Sequence, residues 1–107
     1  DNLFLPGQYS GDPGIAGVGL FFKRSSDGEQ LVSGFVQGGG AQENEEIRLG
    51  DALVSVNDKN VSRWSLKQLS RVLPGVPYSL VKMGFRDPTG RIYTAVVERR
   101  PGAAGAK

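Results

Sequence analysis

The stretch GIAGVGLFF, residues 14–22, sets three glycines ahead of Leu20, Phe21 and Phe22. A glycine loop that runs straight into large apolar residues leads to a strand, and Val18–Lys23 reads as a buried one. That order rules out two phosphate-binding designs. A dinucleotide fingerprint begun at Gly17 would need its third glycine where Phe22 stands, with a helix following. A phosphate loop would need to end in Gly-Lys-Ser or Gly-Lys-Thr, which is absent. A glycine loop before a strand has another use. Its amides can hold the carboxylate at a peptide's C-terminus while the strand edge pairs with the peptide backbone. Glycines there let backbone approach backbone without a Cβ in the way.

Composition removes most catalytic chemistry. The 107 residues contain no cysteine and no histidine, so thiolate or imidazole metal sites, cysteine nucleophiles and serine–histidine pairs are excluded. No metal or cofactor is expected, and the domain is expected to catalyse nothing. Gly50-Asp51 reads as a turn with a local backbone hydrogen bond, not a catalytic acid. Length fits one domain with one core. Thirteen basic residues stand against eleven acidic ones. The densest basic cluster is ERR at 98–100, which reads as a solvated strand end, so no nucleic-acid partner is expected. No apolar run approaches the roughly 18 residues of a membrane span. The first residues lack the basic and apolar regions of a signal peptide, and the chain is expected to be a piece of a longer protein.

Residues 1–14 read as an N-terminal extension or short first strand around Leu3–Leu5, and 100–107 as a flexible tail. The segments 18–23 and 31–36 form a hairpin about the turn RSSDGEQ. QGGGA at 37–41 breaks the second strand, and AQENEE supports about one helical turn. ALVSVN at 52–57 alternates as a strand with one buried face. Ser65 followed by Gln68 fits a capping box, and Leu66, Leu69, Ser70 and Leu73 share one face of an expected helix over 65–73, stopped by Pro74 and Gly75. VPYSLVKMGF and RIYTAVVE are two further strands joined by a type I turn at Asp87-Pro88-Thr89-Gly90. In the first of these, the Tyr78, Leu80, Lys82 face and the Val81, Met83, Phe85 face compete for burial, with a bulge at Gly84 allowing a switch.

Over residues 15–86 the chain resembles the PDZ domain family. GVGLFF is similar to its carboxylate-binding loop, GFVQGGGA to its third strand and following break, and IRLGDALVSVND to the segment written L-x-x-G-D-x-I-L-x-V-N-G. The spacing from Asn57 to Leu66 matches the approach to the groove-lining helix. The resemblance implies a mostly β fold: a partly open barrel of five to six strands capped by one short and one longer helix, over 15–99. It implies a module binding C-terminal peptides by strand addition between Leu20–Lys23 and that helix. Gly17, Val18, Gly19 and Leu20 would form the carboxylate loop. Val18, Leu20, Phe22 and Leu73 would line the pocket for the last peptide residue, with Phe21 and Lys23 also on the groove strand. Leu66 and Ser70 would face the third residue from the peptide's end. Many members have histidine at the first helix position, so Leu66 implies an apolar peptide residue there, the class II preference.

Residues 1–16 carry no basic residue near the carboxylate loop, so Lys67 or Arg71 would supply charge, and internal peptide segments are alternative ligands. One or two buried ligand side chains at about 1.5 to 3 kcal/mol each and carboxylate hydrogen bonds at about 1.5 to 3 each, set against about 4 to 15 for immobilisation, make roughly micromolar binding the expectation. A monomeric domain of a cytoplasmic scaffold beneath the plasma membrane is the expected setting. Two alternatives stand beside it. In one, the parent is an HtrA-like or C-terminal processing protease, whose permuted PDZ domains take the first strand from after the helix. In the other, Phe21 and Trp64 wedge a weakly membrane-binding surface.

Overall fold

The computed structural model describes Leu3–Phe4 and residues 15–101. Most of the expected N-terminal extension, and residues 102–107 of the tail, lie outside the described residues. The strands are β1 (Leu3–Phe4), β2 (Leu20–Arg24), β3 (Gln30–Phe35), β4 (Ala52–Val56), β5 (Lys59–Asn60), β6 (Leu80–Arg86) and β7 (Ile92–Glu98). They form one antiparallel sheet ordered β1-β2-β3-β4-β6-β7, with β5 paired to β4.

The expected barrel capped by two helices is corrected. The sheet is open, and the described residues hold only a 3-10 turn at Ala41–Glu43 and a single α-helical turn, α1, at Leu66–Leu69. The capping box at Ser65 and Gln68 is present in both directions. The helix nevertheless stops early, for local reasons. The Ser70 hydroxyl donates back to the Lys67 carbonyl at 2.6 Å, and the amides of Arg71 and Val72 bond three residues back, to Gln68 and Leu69. Pro74 then disfavours helical backbone at Leu73, and Gly75 exchanges two hydrogen bonds with Ala16, drawing the chain toward the glycine loop.

Between the sheet and α1 lies a core holding Val18, Leu20, Phe22, Leu53, Leu69 and Leu73. The two-sided strand resolves cleanly. Val81, Met83 and Phe85 are buried because they face Val97, Ala95 and Tyr93 across β7, whereas Leu80 on the other face is 64% exposed. Phe85 and Tyr93 stack at 5.5 Å, a pair adding about 0.5 to 1.5 kcal/mol beyond burial. The pairing of β6 with β7 is unbroken through Gly84; the irregularity lies opposite, between Leu53 and Ser55 of β4. That shift ends the simple alternation expected of β4 and buries Ala52, Leu53 and Val56 together. The Asp87 turn forms as expected, with the Gly90 amide on the Asp87 carbonyl at 2.9 Å.

Candidate peptide-binding edge

The loop entering β2 is fixed by its carbonyls. Gly17 accepts from the Arg100 amide at 3.0 Å, Val18 from Ala41 at 2.9 Å and Gly19 from Val36 at 2.9 Å. In a trans peptide unit the N–H points opposite to the C=O. The amides of Val18, Gly19 and Leu20 are therefore directed away from those three partners. Gly19 adopts φ +84°, and a Cβ there would stand 3.0 Å from the Gly39 Cα. Only glycine satisfies both the left-handed backbone and the close approach. A Cβ on Gly40 would run into the carbonyl oxygen of Glu98. The glycines of 38–40 thus bring three backbones together behind the loop.

β2 pairs with β3 along its inner edge, from Leu20 with Phe35 to Arg24 with Gln30, with a shift that leaves Ser33 between Phe21 and Phe22. Its outer edge receives β1, with Leu3 opposite Phe22 and Phe4 opposite Phe21. Of the residues expected to line a groove, Val18, Leu20, Phe22 and Leu73 come together and are fully buried. Leu66 is half-buried against the same cluster, and Ser70 is half-buried one turn further on. Phe21 lies against Gly34 on the other face of the strand. Lys23, Lys67 and Arg71 are exposed. Trp64 packs on the core, with the Lys59 ammonium 5.2 Å from its ring centre.

Two residues of the site were not anticipated. The ERR cluster is structural, in contrast to its reading as a solvated strand end. Arg99 reaches back to the end of the helical segment, donating to the carbonyls of Leu73 (2.7 Å) and Val72 (3.3 Å), and to the Ser79 hydroxyl (3.0 Å). Burial lowers its pKa below the usual guanidinium value. Arg100 bonds the Gly38 carbonyl at 3.0 Å and grips both carboxylate oxygens of Glu43, the nearer at 2.7 Å, while its Nε meets Glu98 at 2.9 Å. The hydrogen bonds that Arg100 donates to Glu43 and then to Glu98 raise its pKa, and Arg100 in turn holds the Glu43 carboxyl below its usual value. One arginine therefore secures the helical wall and the next secures the glycine loop.

A cleft of about 710 Å³ lies at the other end of the β6–β7 hairpin, between residues 45–51 and 87–93. Two of its acids, Asp51 and Asp87, are engaged in local structure. Asp51, only 2% exposed, accepts from the Arg48 amide at 3.2 Å and from the Tyr93 hydroxyl. Asp87 accepts from the Thr89 and Arg91 amides at 3.0 Å each. Burial, followed by the Asp51 hydrogen bond, holds the Tyr93 pKa far above its usual value.

No family model matches the chain. Among curated proteins it is similar to Protein inturned of Rattus norvegicus, at 38% identity over 53 residues that make up 49% of this chain and 6% of that protein. The Homo sapiens protein of the same name is 36% identical over the same shares. The match spans only a small part of these relatives' length. Among solved structures, the photosystem II D1 C-terminal processing protease is similar at a TM-score of 0.74 and 24% identity, covering 94% of this chain and 28% of that one. The PDZ domain of the carboxy-terminal protease from Vibrio cholerae, solved in complex with peptide, is similar at a TM-score of 0.71 and 19% identity, covering 80% and 94%. At these identities the likeness is one of fold, and the fold is PDZ-like.

Proposed function

We propose that the chain is a peptide-binding module that takes the carboxy-terminal peptide of a partner protein as an added strand on the outer edge of β2. One observation carries this reading. The edge beside the glycine loop already accepts an antiparallel strand, Leu3–Phe4, at Phe22 and Phe21. A peptide on the same edge would form the same kind of ladder, with its last residues near Leu20 and its carboxylate toward the amides of Val18, Gly19 and Leu20. The reading is supported by the PDZ-like fold and by the peptide bound to the Vibrio cholerae neighbour. Leu66, half-buried beside the core cluster, favours an apolar residue third from the peptide's end. Binding is the module's task, with no chemistry of its own.

A parent of the C-terminal processing protease kind, with this module reading substrate tails, is favoured over a scaffold by one further observation. The strand beside β6 is β7, which follows it in sequence, and not a strand from the N-terminus. That is the arrangement expected of the permuted protease form.

Fluorescence titration with a peptide pair differing only in a free or amidated C-terminus tests the carboxylate role. The free acid is expected to bind at least about tenfold more tightly, since a hydrogen bond to a charged group contributes about 1.5 to 3 kcal/mol. Equal binding by the two would refute it. Replacing Leu by Thr third from the end is expected to weaken binding; tighter binding of the Thr peptide would refute the role given to Leu66.

A further inference from the structure

We propose that Leu3–Phe4 is an intramolecular occupant of the peptide-binding edge, so that the chain's own N-terminal segment and a partner peptide exclude one another from β2. The inference rests on the peptide-binding reading above and adds a means of regulating that site.

A strand has two hydrogen-bonding edges. On β2 one belongs to β3 throughout, and the other is where Leu3 meets Phe22 and Phe4 meets Phe21. There is no third edge for a peptide to use. The pairing is antiparallel, so from Leu3 to Phe4 the chain advances toward Leu20 and the glycine loop. A peptide delivering its carboxylate to that loop must run in the same direction. β1 is therefore placed and oriented as a ligand would be. It differs in having no carboxylate, because Leu5 and Pro6 follow it.

Among the described residues β1 has two in register, against five of β2 paired with β3. A two-residue ladder contributes little free energy. Tethering compensates. Ten residues of sequence, 5–14, join Phe4 to Ile15, and a covalent connection of that length keeps β1 near its site at roughly millimolar effective concentration. A weak two-residue strand thus competes with a free peptide that binds far more tightly per molecule. An edge occupied about nine-tenths of the time weakens apparent peptide affinity about tenfold.

The test uses the full 107-residue chain and, as probe, a fluorescein-labelled octapeptide with Leu third from its end and a free C-terminal Val. Proline has no amide to donate and resists the ladder, so the variant is the double substitution Leu3→Pro, Phe4→Pro. The variant is expected to bind the probe about tenfold more tightly than the parent. In the parent, saturating probe is expected to remove the Leu3–Phe22 cross-strand Hα contact in NMR spectra as the Phe21 and Phe22 amides shift. If the probe shifts those amides while the Leu3–Phe22 contact persists, or if parent and variant bind equally, competition is overturned and the peptide reading survives. If neither protein binds the probe and the contact persists, the peptide reading itself falls, and competition falls with it. Should the variant not fold, the NMR titration of the parent decides alone.

Discussion

The two sides of the candidate groove are built in opposite ways. On the strand side, Val18, Leu20 and Phe22 belong to the core, and three successive carbonyls bond to Arg100, Ala41 and Val36. On the helix side there is one α-helical turn, started by the Ser65–Gln68 box and finished by a single guanidinium. The strand side takes its shape from the same contacts that fold the domain. The helix side sends Leu69 and Leu73 into that same core, but its backbone is shaped by a handful of local hydrogen bonds. Substitutions on the first should register as lost stability, and substitutions on the second as altered recognition in a folded protein.

Gly40→Ala strikes the strand side hardest, because the new methyl has to displace the Glu98 backbone. A loss of about 3 kcal/mol in urea denaturation is expected. Arg99→Ala should cost about 2 kcal/mol by stripping donors from the Leu73 and Val72 carbonyls. It should weaken peptide binding while the NMR chemical shifts of the β2 amides stay unchanged; equal disturbance of both sides would erase the contrast. Tyr93→Phe lies at neither side, and is expected to cost about 1.5 kcal/mol at neutral pH without changing peptide affinity. It should also change the alkaline limb. The folded Tyr93 pKa is raised above the unfolded value of 10.0. The parent's stability is therefore complete below that pH and declines as pH rises beyond it, where only the unfolded chain ionises. The Phe variant should lose that part of the decline. Ser65→Ala has the smallest expected effect, about 1 kcal/mol, read as a weaker preference for the residue third from the peptide's end.

The same contrast governs what was legible in the sequence. Strand positions followed from apolar runs and turn residues, since those signals are local. The capping box was legible for the same reason, and Leu69 is in the core as its place on the apolar face implies, while Leu73, expected to line the groove, is fully buried beside it. The spacing could not reveal that Ser70 would bond its own turn and that Gly75 would be drawn to Ala16, so a nine-residue helix was expected where four residues are helical. The buried face of β6 was undecidable locally because Tyr78 and Leu80 lend apolar surface to the face that also carries Lys82; Tyr93, Ala95 and Val97 across the hairpin decide it. Arg99 and Arg100 were the least legible. Their partners lie up to 62 positions away, at Gly38, and the only available signal was a small basic cluster that usually marks a solvated end. The occupation of the β2 edge by Leu3–Phe4 was equally hidden, since no local pattern says which edge a short apolar segment will join.

The bridge between Gly17 and Arg100 has a mechanical consequence. It is antiparallel, so Ala16 and Pro101 leave it on the same side. Tension applied to the chain at those two points would load the rungs one after another, as in unzipping, and not all at once. The first rung to part is the bond from the Arg100 amide to the Gly17 carbonyl, the one that helps aim the Val18 amide. Pulling the two points apart would therefore slacken the glycine loop before it unfolded the sheet.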